Sequence, residues 1–313
     1  MSNFKFIDLF AGIGGMRIPF DELGGKCVFT SELDQHAEVV YRRNFPGQHL
    51  FNCDIRDYDD NPELIPNHEL LLAGFPCQPF SQAGKRLGFE DTRGTLFFSI
   101  ASIARAKQPR VILLENVRGL QTHDGGRTLQ TILATLDEIG YLSFTKVLNA
   151  RDYGLPQNRR RLFIVAIRRD IPDAEKYLFP VGTVDSDKIK VSDIIDPEAD
   201  LLALTISDRL WQGHLARKER NRLAGKGFGY QMVSPDSAYT ATLSARYFKD
   251  GSEILLQQDD RNPRMLSVRE AANLQGFPPD FCLSESKKEA YKQLGNAVPV
   301  NVIRAISLSL KPY

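Results

Sequence analysis

Cysteine is scarce in this chain of 313 residues, and no two of its four cysteines (Cys27, Cys53, Cys77 and Cys282) form a CxxC pair. That argues against a zinc site and against a disulfide framework. No stretch approaches the roughly 18 consecutive apolar residues of a membrane span. The N-terminus lacks a signal-peptide layout and enters its first apolar segment within a few residues, so a cytoplasmic protein is expected. Two phosphate-binding signatures are also missing. Read as GxGxxG from Gly12, the turn Gly12-Ile13-Gly14-Gly15 ends on Arg17 instead of the third glycine, and no P-loop lysine follows it.

What is present is ordinary for a globular protein, with 42% hydrophobic and 25% charged residues. The net charge of +1 is unevenly spread: residues 1–100 carry 9 Lys+Arg against 14 Asp+Glu, and residues 201–313 carry 16 against 11. The basic final third hints at a polyanionic partner, although charge runs are also common on solvated faces. Up to about residue 170, short apolar runs alternate with amphipathic ones. The pattern predicts an α/β fold with a doubly wound, mostly parallel sheet. Beyond residue 172 the alternation stops, and Thr240–Tyr247 and Ser252–Leu256 read as strands of a smaller inserted domain. The final helix, Val302–Leu310, is expected to fold back on the sheet. The expected domains are 1–180 plus 293–313, and 181–292.

The stretch that organises the chain is Gly74-Phe75-Pro76-Cys77-Gln78-Pro79-Phe80-Ser81. The apolar run Leu70–Ala73 reads as a buried strand that stops at Gly74 and delivers a thiol onto a stiff proline turn. This placement suits a nucleophile, because the thiolate attacks and must be accessible. A small buried cysteine at a proline-rich corner is the structural alternative. A second apolar strand, Val111–Leu114, ends on Glu115-Asn116-Val117, bringing a carboxylate to the same edge. The polar, glycine-punctuated segment Gln82–Gly94, with Lys85, Arg86 and Arg93, reads as a lid over an anion or as a plain surface loop.

Other strand ends outline a nucleoside pocket. The strand Phe4–Leu9 leads into the glycine turn, and the strand Lys26–Ser31 ends on Glu32, placed to accept hydrogen bonds from a ribose diol. Asp54 follows a third short strand, where it could accept from an exocyclic adenine amine. With no phosphate cradle, S-adenosylmethionine fits better than NAD or ATP. Further on, Gln157, Arg159 and Arg161 alternate with Asn158 and Arg160, which predicts opposite faces. Residues 208–226 hold Arg209, Arg217, Lys218, Arg220, Arg222 and Lys226, with Trp211 nearby. They read as a surface facing nucleic acid or as a solvated basic helix.

Taken together, these motifs resemble those of the bacterial cytosine-C5 DNA methyltransferases, in that family's order and over nearly the whole chain. Phe6–Gly15 is similar to the cofactor motif, Gly74–Ser81 to the nucleophile motif, and Glu115-Asn116-Val117 to the acid motif. Gln157, Arg159 and Arg161 match Gln-x-Arg-x-Arg, and Arg264–Pro278 and Gly295–Pro299 match the closing motifs. The resemblance implies catalytic roles for Cys77, Glu115, Arg159 and Arg161. Cys77 would add to C6 of a flipped-out cytosine, Glu115 would hold N3 and the 4-amino group, and Arg161, with Arg159 behind it, would steady the base. It implies a pocket for S-adenosyl-L-methionine built from Phe10, Gly12, Ile13, Gly14, Gly15, Glu32, Leu33, Asp54, Ile55, Pro76, Leu96, Asn296 and Ala297.

DNA contacts are expected from Ser81, Gln82, Lys85, Arg86, Arg93, Gln157, Arg209, Tyr230, Thr242, Leu243, Arg246 and Tyr247. Gly227-Phe228-Gly229-Tyr230 and Thr242–Gly251 are similar to recognition segments that read CCGG or CCWGG. The expected substrate is therefore double-stranded DNA with a CC-starting palindrome, which places the protein at the nucleoid. A monomer is expected, with no metal, no membrane, and a restriction endonuclease acting on the same site as a partner in the biological sense. Three alternatives share parts of this pattern: a transfer-RNA methyltransferase of the same family, a nucleotide-dependent oxidoreductase, and a DNA-binding module without activity.

Overall fold

In the computed structural model the described residues are 4–47, 50–52, 54–76, 96–182, 188–227, 229–311 and 313. They divide into two compact units. The first comprises residues 1–148, 160–181 and 302–313, and the second 149–159 and 182–301. This division differs from the expected domains at residues 149–159 and 293–301, which cluster with the second unit, and at Val181, which clusters with the first.

The first unit holds β1 (Lys5–Leu9), α1 (Arg17–Glu22), β2 (Lys26–Ser31), α2 (Gln35–Asn44), β3 (Leu50–Asn52), β4 (Leu70–Gly74), α3 (Leu96–Lys107), β5 (Val111–Val117), α4 (Arg127–Glu138), β6 (Tyr141–Asn149) and β7 (Arg160–Arg168). The strands form one seven-stranded sheet in the order β3-β2-β1-β4-β5-β7-β6. β1 pairs in parallel with β2 and β4, β2 with β3, and β4 with β5, whereas β7 runs antiparallel to β5. The order reverses at β1 and β4, and such a switch opens a crevice beyond the carboxyl ends of the strands.

Central strands of a parallel sheet are covered on both faces, so they read as continuous apolar runs. Leu70, Leu71, Leu72 and Ala73 are buried accordingly. One face of the sheet, including Ile7, Leu9, Leu71, Ala73, Ile112 and Leu114, packs against Phe97, Ile100 and Ile103 of α3 and Ile132 and Leu136 of α4. On the other face the Tyr41 hydroxyl of α2 reaches Asp8.

The second unit holds α5 (Leu201–Leu204), α6 (Asp208–Leu223), β8 (Met232–Val233), β9 (Leu255–Leu256), α7 (Val268–Gln275) and α8 (Lys287–Asn296). Its regular sheet amounts to the parallel pair β8–β9. The strand expected at Thr240–Tyr247 does not form: Thr240 makes one isolated bridge to Gln157, and Tyr247 begins a short 3-10 turn. Of the strand expected at Ser252–Leu256, Leu255–Leu256 remains.

Buried polar side chains replace the ladder. The Arg264 guanidinium pairs both its terminal nitrogens with the Glu270 carboxylate at 2.7 Å. Glu270 also closes a capping box with Ser267 at the start of α7. The Tyr247 hydroxyl donates to the Ile254 carbonyl and accepts from the Leu266 amide. The chain ends with α9 (Val300–Ser309), which returns to the first unit, where Arg304 pairs with Glu22 and the Ser309 hydroxyl meets that of Tyr177. Among the described residues no helix is long and apolar enough to cross a membrane.

Candidate active site

Three neighbouring strand ends of the first unit carry the polar groups. At the end of β1 the chain turns with positive φ at Phe10 (54°), Gly12 (56°) and Gly14 (91°). A left-handed Phe10 costs on the order of 1–2 kcal/mol, so the turn is held by its surroundings. The Ala11 amide donates to the Ser31 carbonyl and the Gly12 amide to Glu32 Oε2 at 2.7 Å. A side chain at Gly14 would strike the Phe45 ring, over which the Arg17 guanidinium stacks at 4.3 Å. Open space lies where a side chain at Gly12 would project. The turn thus exposes bare backbone on one side and is pinned by aromatic packing on the other.

Glu32 sits one residue beyond β2. Its second oxygen accepts from the Asp34 amide at 2.7 Å, and Asp34 in turn caps α2 through the His36 amide. Burial pushes the Glu32 carboxyl up, and these backbone donors oppose the rise. Beside it Leu33 stands 65% exposed, an apolar surface at the mouth of the turn. Asp54 is less free than expected. It caps a short 3-10 turn through the Arg56 amide, and the Arg56 guanidinium beside it holds its carboxyl below the usual range. The side chains of Ile13 and Ile55 are buried, so these residues can offer a ligand only backbone. Pro76 is exposed and Leu96 opens α3 half-buried. Asn296 and Ala297, expected in the same pocket, close α8 in the second unit.

β4 and β5 run side by side, with Gly74 opposite Glu115, and β7 places Phe163 opposite Glu115 and Arg161 opposite Val117. Glu115 is 9% exposed; its Oε1 lies 3.2 Å from Arg161 Nε, and its Oε2 approaches the bare Cα of Gly74. Burial draws the Arg161 guanidinium down from its ordinary value, and Glu115 opposes that pull. The neighbouring Asn116, also buried, donates from Nδ2 to the Phe75 carbonyl at 2.8 Å and accepts the Val117 amide at its Oδ1. It therefore fixes the chain two residues before Cys77. Sequence reasoning assigned Asn116 no task, although it stood inside the motif. Cys77, Ser81, Gln82, Lys85, Arg86 and Arg93 lie outside the described residues.

Four expected site residues are buried. Arg159 is 1% exposed, and its guanidinium donates to the carbonyls of Leu243, Gly295 and Ala297 in the second unit. Gln157 is fully buried, donating to the Leu274 carbonyl and accepting the Leu243 amide. Leu243 and Tyr247 are fully buried as well. Solvent reaches the others: Arg209 and Arg246 are exposed, and Thr242, half-buried, donates its hydroxyl to the Asn158 carbonyl. The half-buried Tyr230 ring packs on Trp211 and lies under Lys218 Nζ at 4.4 Å.

A second buried cluster, unforeseen from sequence, underlies the glycine turn. Tyr41 donates to Asp8 Oδ2 at 3.1 Å, meets the Thr30 hydroxyl, and receives an N–H from Arg17. Burial pushes the Asp8 carboxyl up to about 8, with Arg17 opposing.

Comparison with known proteins places this geometry. The solved structure of S. pombe Dnmt2 methyltransferase superposes with a TM-score of 0.78 at 22% identity, covering 99% of both chains, which speaks for the shared fold. The Type II methyltransferase M.DsaV of Dactylococcopsis salina is 50% identical over 309 residues, spanning 99% of this chain and 86% of that protein. M.NlaX of Neisseria lactamica, also a Type II methyltransferase, is 51% identical over 98% of this chain and 96% of its own length. The C-5 cytosine-specific DNA methylase family matches residues 4–311, and the chain belongs to it: a DNA (cytosine-5-)-methyltransferase that uses S-adenosyl-L-methionine.

Proposed function

We propose that the protein methylates C5 of a flipped-out cytosine within a short palindrome beginning with CC, such as CCGG or CCWGG, through a covalent bond between Cys77 and C6. The observation that supports this most is the paired strand end, where Glu115 lies against Arg161 while Asn116 holds the Phe75 carbonyl just before Cys77. Cytosine C5 is a weak nucleophile. A Cys77 thiolate adding to C6 converts it into an enamine carbon, and a proton held by Glu115 at N3 takes up the developing charge. Arg161, desolvated and still cationic, favours both the thiolate and the electron-rich ring. C5 then takes the methyl group as the demethylated donor leaves, loses its proton to a base, and Cys77 is expelled as a thiolate while N3 returns its proton to Glu115, which restores the aromatic ring. Because C6 is inaccessible inside a stacked duplex, the base must leave the helix first.

The donor's site is supported by the residues present. The open backbone at Gly12, the Glu32 carboxylate and the exposed Leu33 suit a nucleoside. Phe10, Gly12, Gly14, Gly15, Glu32 and Leu33 would hold it, with backbone from Ile13 and Ile55, and with Pro76, Leu96, Asn296 and Ala297 completing the set. Asp54 would join once it exchanges Arg56 for the ligand. When bound, the donor supplies an electrophilic methyl group. Arg209, Tyr230, Thr242 and Arg246 are the residues of the second unit that we assign to DNA. The protein acts in the cytoplasm as a monomer, beside an endonuclease that reads the same site.

Bisulfite sequencing of DNA from a methylation-free bacterial host expressing the protein tests this, with Cys77→Ser as the control. Protection of one cytosine in a CC-starting motif, absent from the control, is expected. Protection at an unrelated motif would remove the target assignment, and no protection from a folded protein would redirect the search to transfer RNA.

A further inference from the structure

The Arg159 guanidinium of the second unit is buried, with both terminal nitrogens donating to backbone carbonyls. Its Nη1 donates to the Leu243 carbonyl at 2.9 Å, and its Nη2 to the carbonyls of Gly295 at 2.9 Å and Ala297 at 2.7 Å. Leu243 stands between Thr242 and Arg246 on the segment assigned to DNA, whereas Gly295 and Ala297 flank Asn296 on the turn assigned to the donor. One planar group therefore grips two segments that are about 50 residues apart in sequence and are assigned to the two ligands. A cation is also favoured where it sits, at the carboxyl end of α8.

The two segments are in backbone contact. A side chain at Gly295 would lie 2.3 Å from the Ala245 nitrogen, so only glycine permits this approach. Gln157 and Gln275 add a second rung. Gln157 bonds the Leu243 amide and the Leu274 carbonyl, and Gln275 bonds the Leu294 carbonyl at 2.6 Å. The 242–246 segment and the 294–297 turn are thereby joined through bonds of the buried side chains Arg159, Gln157 and Gln275.

We propose that Arg159 is a positioning residue that ties the DNA-reading segment to the donor-binding turn, so that binding of DNA and binding of donor strengthen each other through its guanidinium. The proposal rests on the reading given under Proposed function, for the assignment of both segments. Coupling of this kind is reciprocal and is commonly 5- to 150-fold between two sites.

The test measures binding and turnover separately. Calorimetric titration with S-adenosyl-L-homocysteine, with and without unmethylated plasmid DNA, gives the coupling factor. Tritiated-methyl transfer to the same plasmid gives kcat and the KM for DNA. Wild type is expected to bind S-adenosyl-L-homocysteine at least about fivefold more tightly with DNA present. In Arg159→Ala the factor falls to within about twofold of unity and the KM for DNA rises, while affinity for S-adenosyl-L-homocysteine without DNA changes less than about threefold. Arg159→Lys, whose single ammonium cannot span both segments, keeps the fold and gives an intermediate factor, which covers the case in which Arg159→Ala does not fold. An unchanged coupling factor in either folded variant, or a loss confined to kcat, overturns the proposal and returns Arg159 to the chemistry. A wild-type protein that transfers no methyl group to plasmid DNA overturns the functional reading itself.

Discussion

The two units solve the same problem by different means. In the first, backbone groups satisfy one another in a seven-stranded ladder, and apolar side chains fill both faces. In the second, two strands of two residues each supply the only paired sheet among the described residues. There, buried side chains such as Gln157, Arg159, Arg264, Glu270, Tyr247 and Gln275 satisfy the backbone instead. A ladder tolerates exchange among similar apolar residues, because packing is the main requirement. A polar lattice does not, because removing one partner strands the other.

The largest effect should come from cutting that lattice. Glu270→Ala leaves Arg264 as an uncompensated buried charge, and a loss of about 3–5 kcal/mol is expected from urea unfolding. Leu113→Ala, a fully buried residue of β5, should cost about 2–5 kcal/mol by opening a cavity, and Leu113→Met under about 1.5. No comparably mild replacement should exist for Glu270, Gln included; a Glu270→Gln protein as stable as wild type would break the contrast.

A smaller effect tests a place where the first unit borrows the second's method. Asn116→Ala should cost about 1–3 kcal/mol and lower kcat by about tenfold or more, because the chain entering Cys77 loses its tether. Circular dichroism together with single-turnover methyl transfer would separate these two losses. If kcat is untouched, Asn116 is only structural.

The mildest test is one of slope. Asp8 has its carboxyl raised by burial to about 8, so the folded protein holds a proton that the unfolded chain has released above the ordinary carboxylate range. That contribution is complete below the ordinary value and is lost as the pH rises through about 8. The Tm of wild type should therefore decline between pH 6 and 9 by on the order of a few °C, while Asp8→Asn stays flatter over that window. Equal slopes would show that Tyr41 and Arg17 leave Asp8 charged.

Legibility from sequence follows the same division. The apolar pattern located β1, β2, β4 and α9 to within about two residues, and the start of β5, because each buries a regular apolar run. The direction of β7 was not legible, since an apolar strand reads the same either way along a ladder. The segment Thr240–Tyr247 deceived for a related reason. Its alternating Thr, Leu and Tyr look like a strand, yet Leu243 and Tyr247 are buried by long-range bonds to Gln157 and Leu266, which no local pattern reveals. The partners of Arg159 were not legible either, since nothing in its sequence neighbours announces three carbonyls from distant segments. The Glu115–Arg161 pair, by contrast, follows directly from strand ends on one edge of a sheet.

Because Arg159, Gln157 and Gly295 seize the 242–246 segment by its backbone and from behind, the outward side chains of Thr242 and Arg246 are relieved of any duty to the scaffold beyond one hydroxyl bond. On the proposed assignment of this segment to DNA, such a mounting separates what the segment reads from what holds it, so exchanges at Thr242 and Arg246 leave the fold in place.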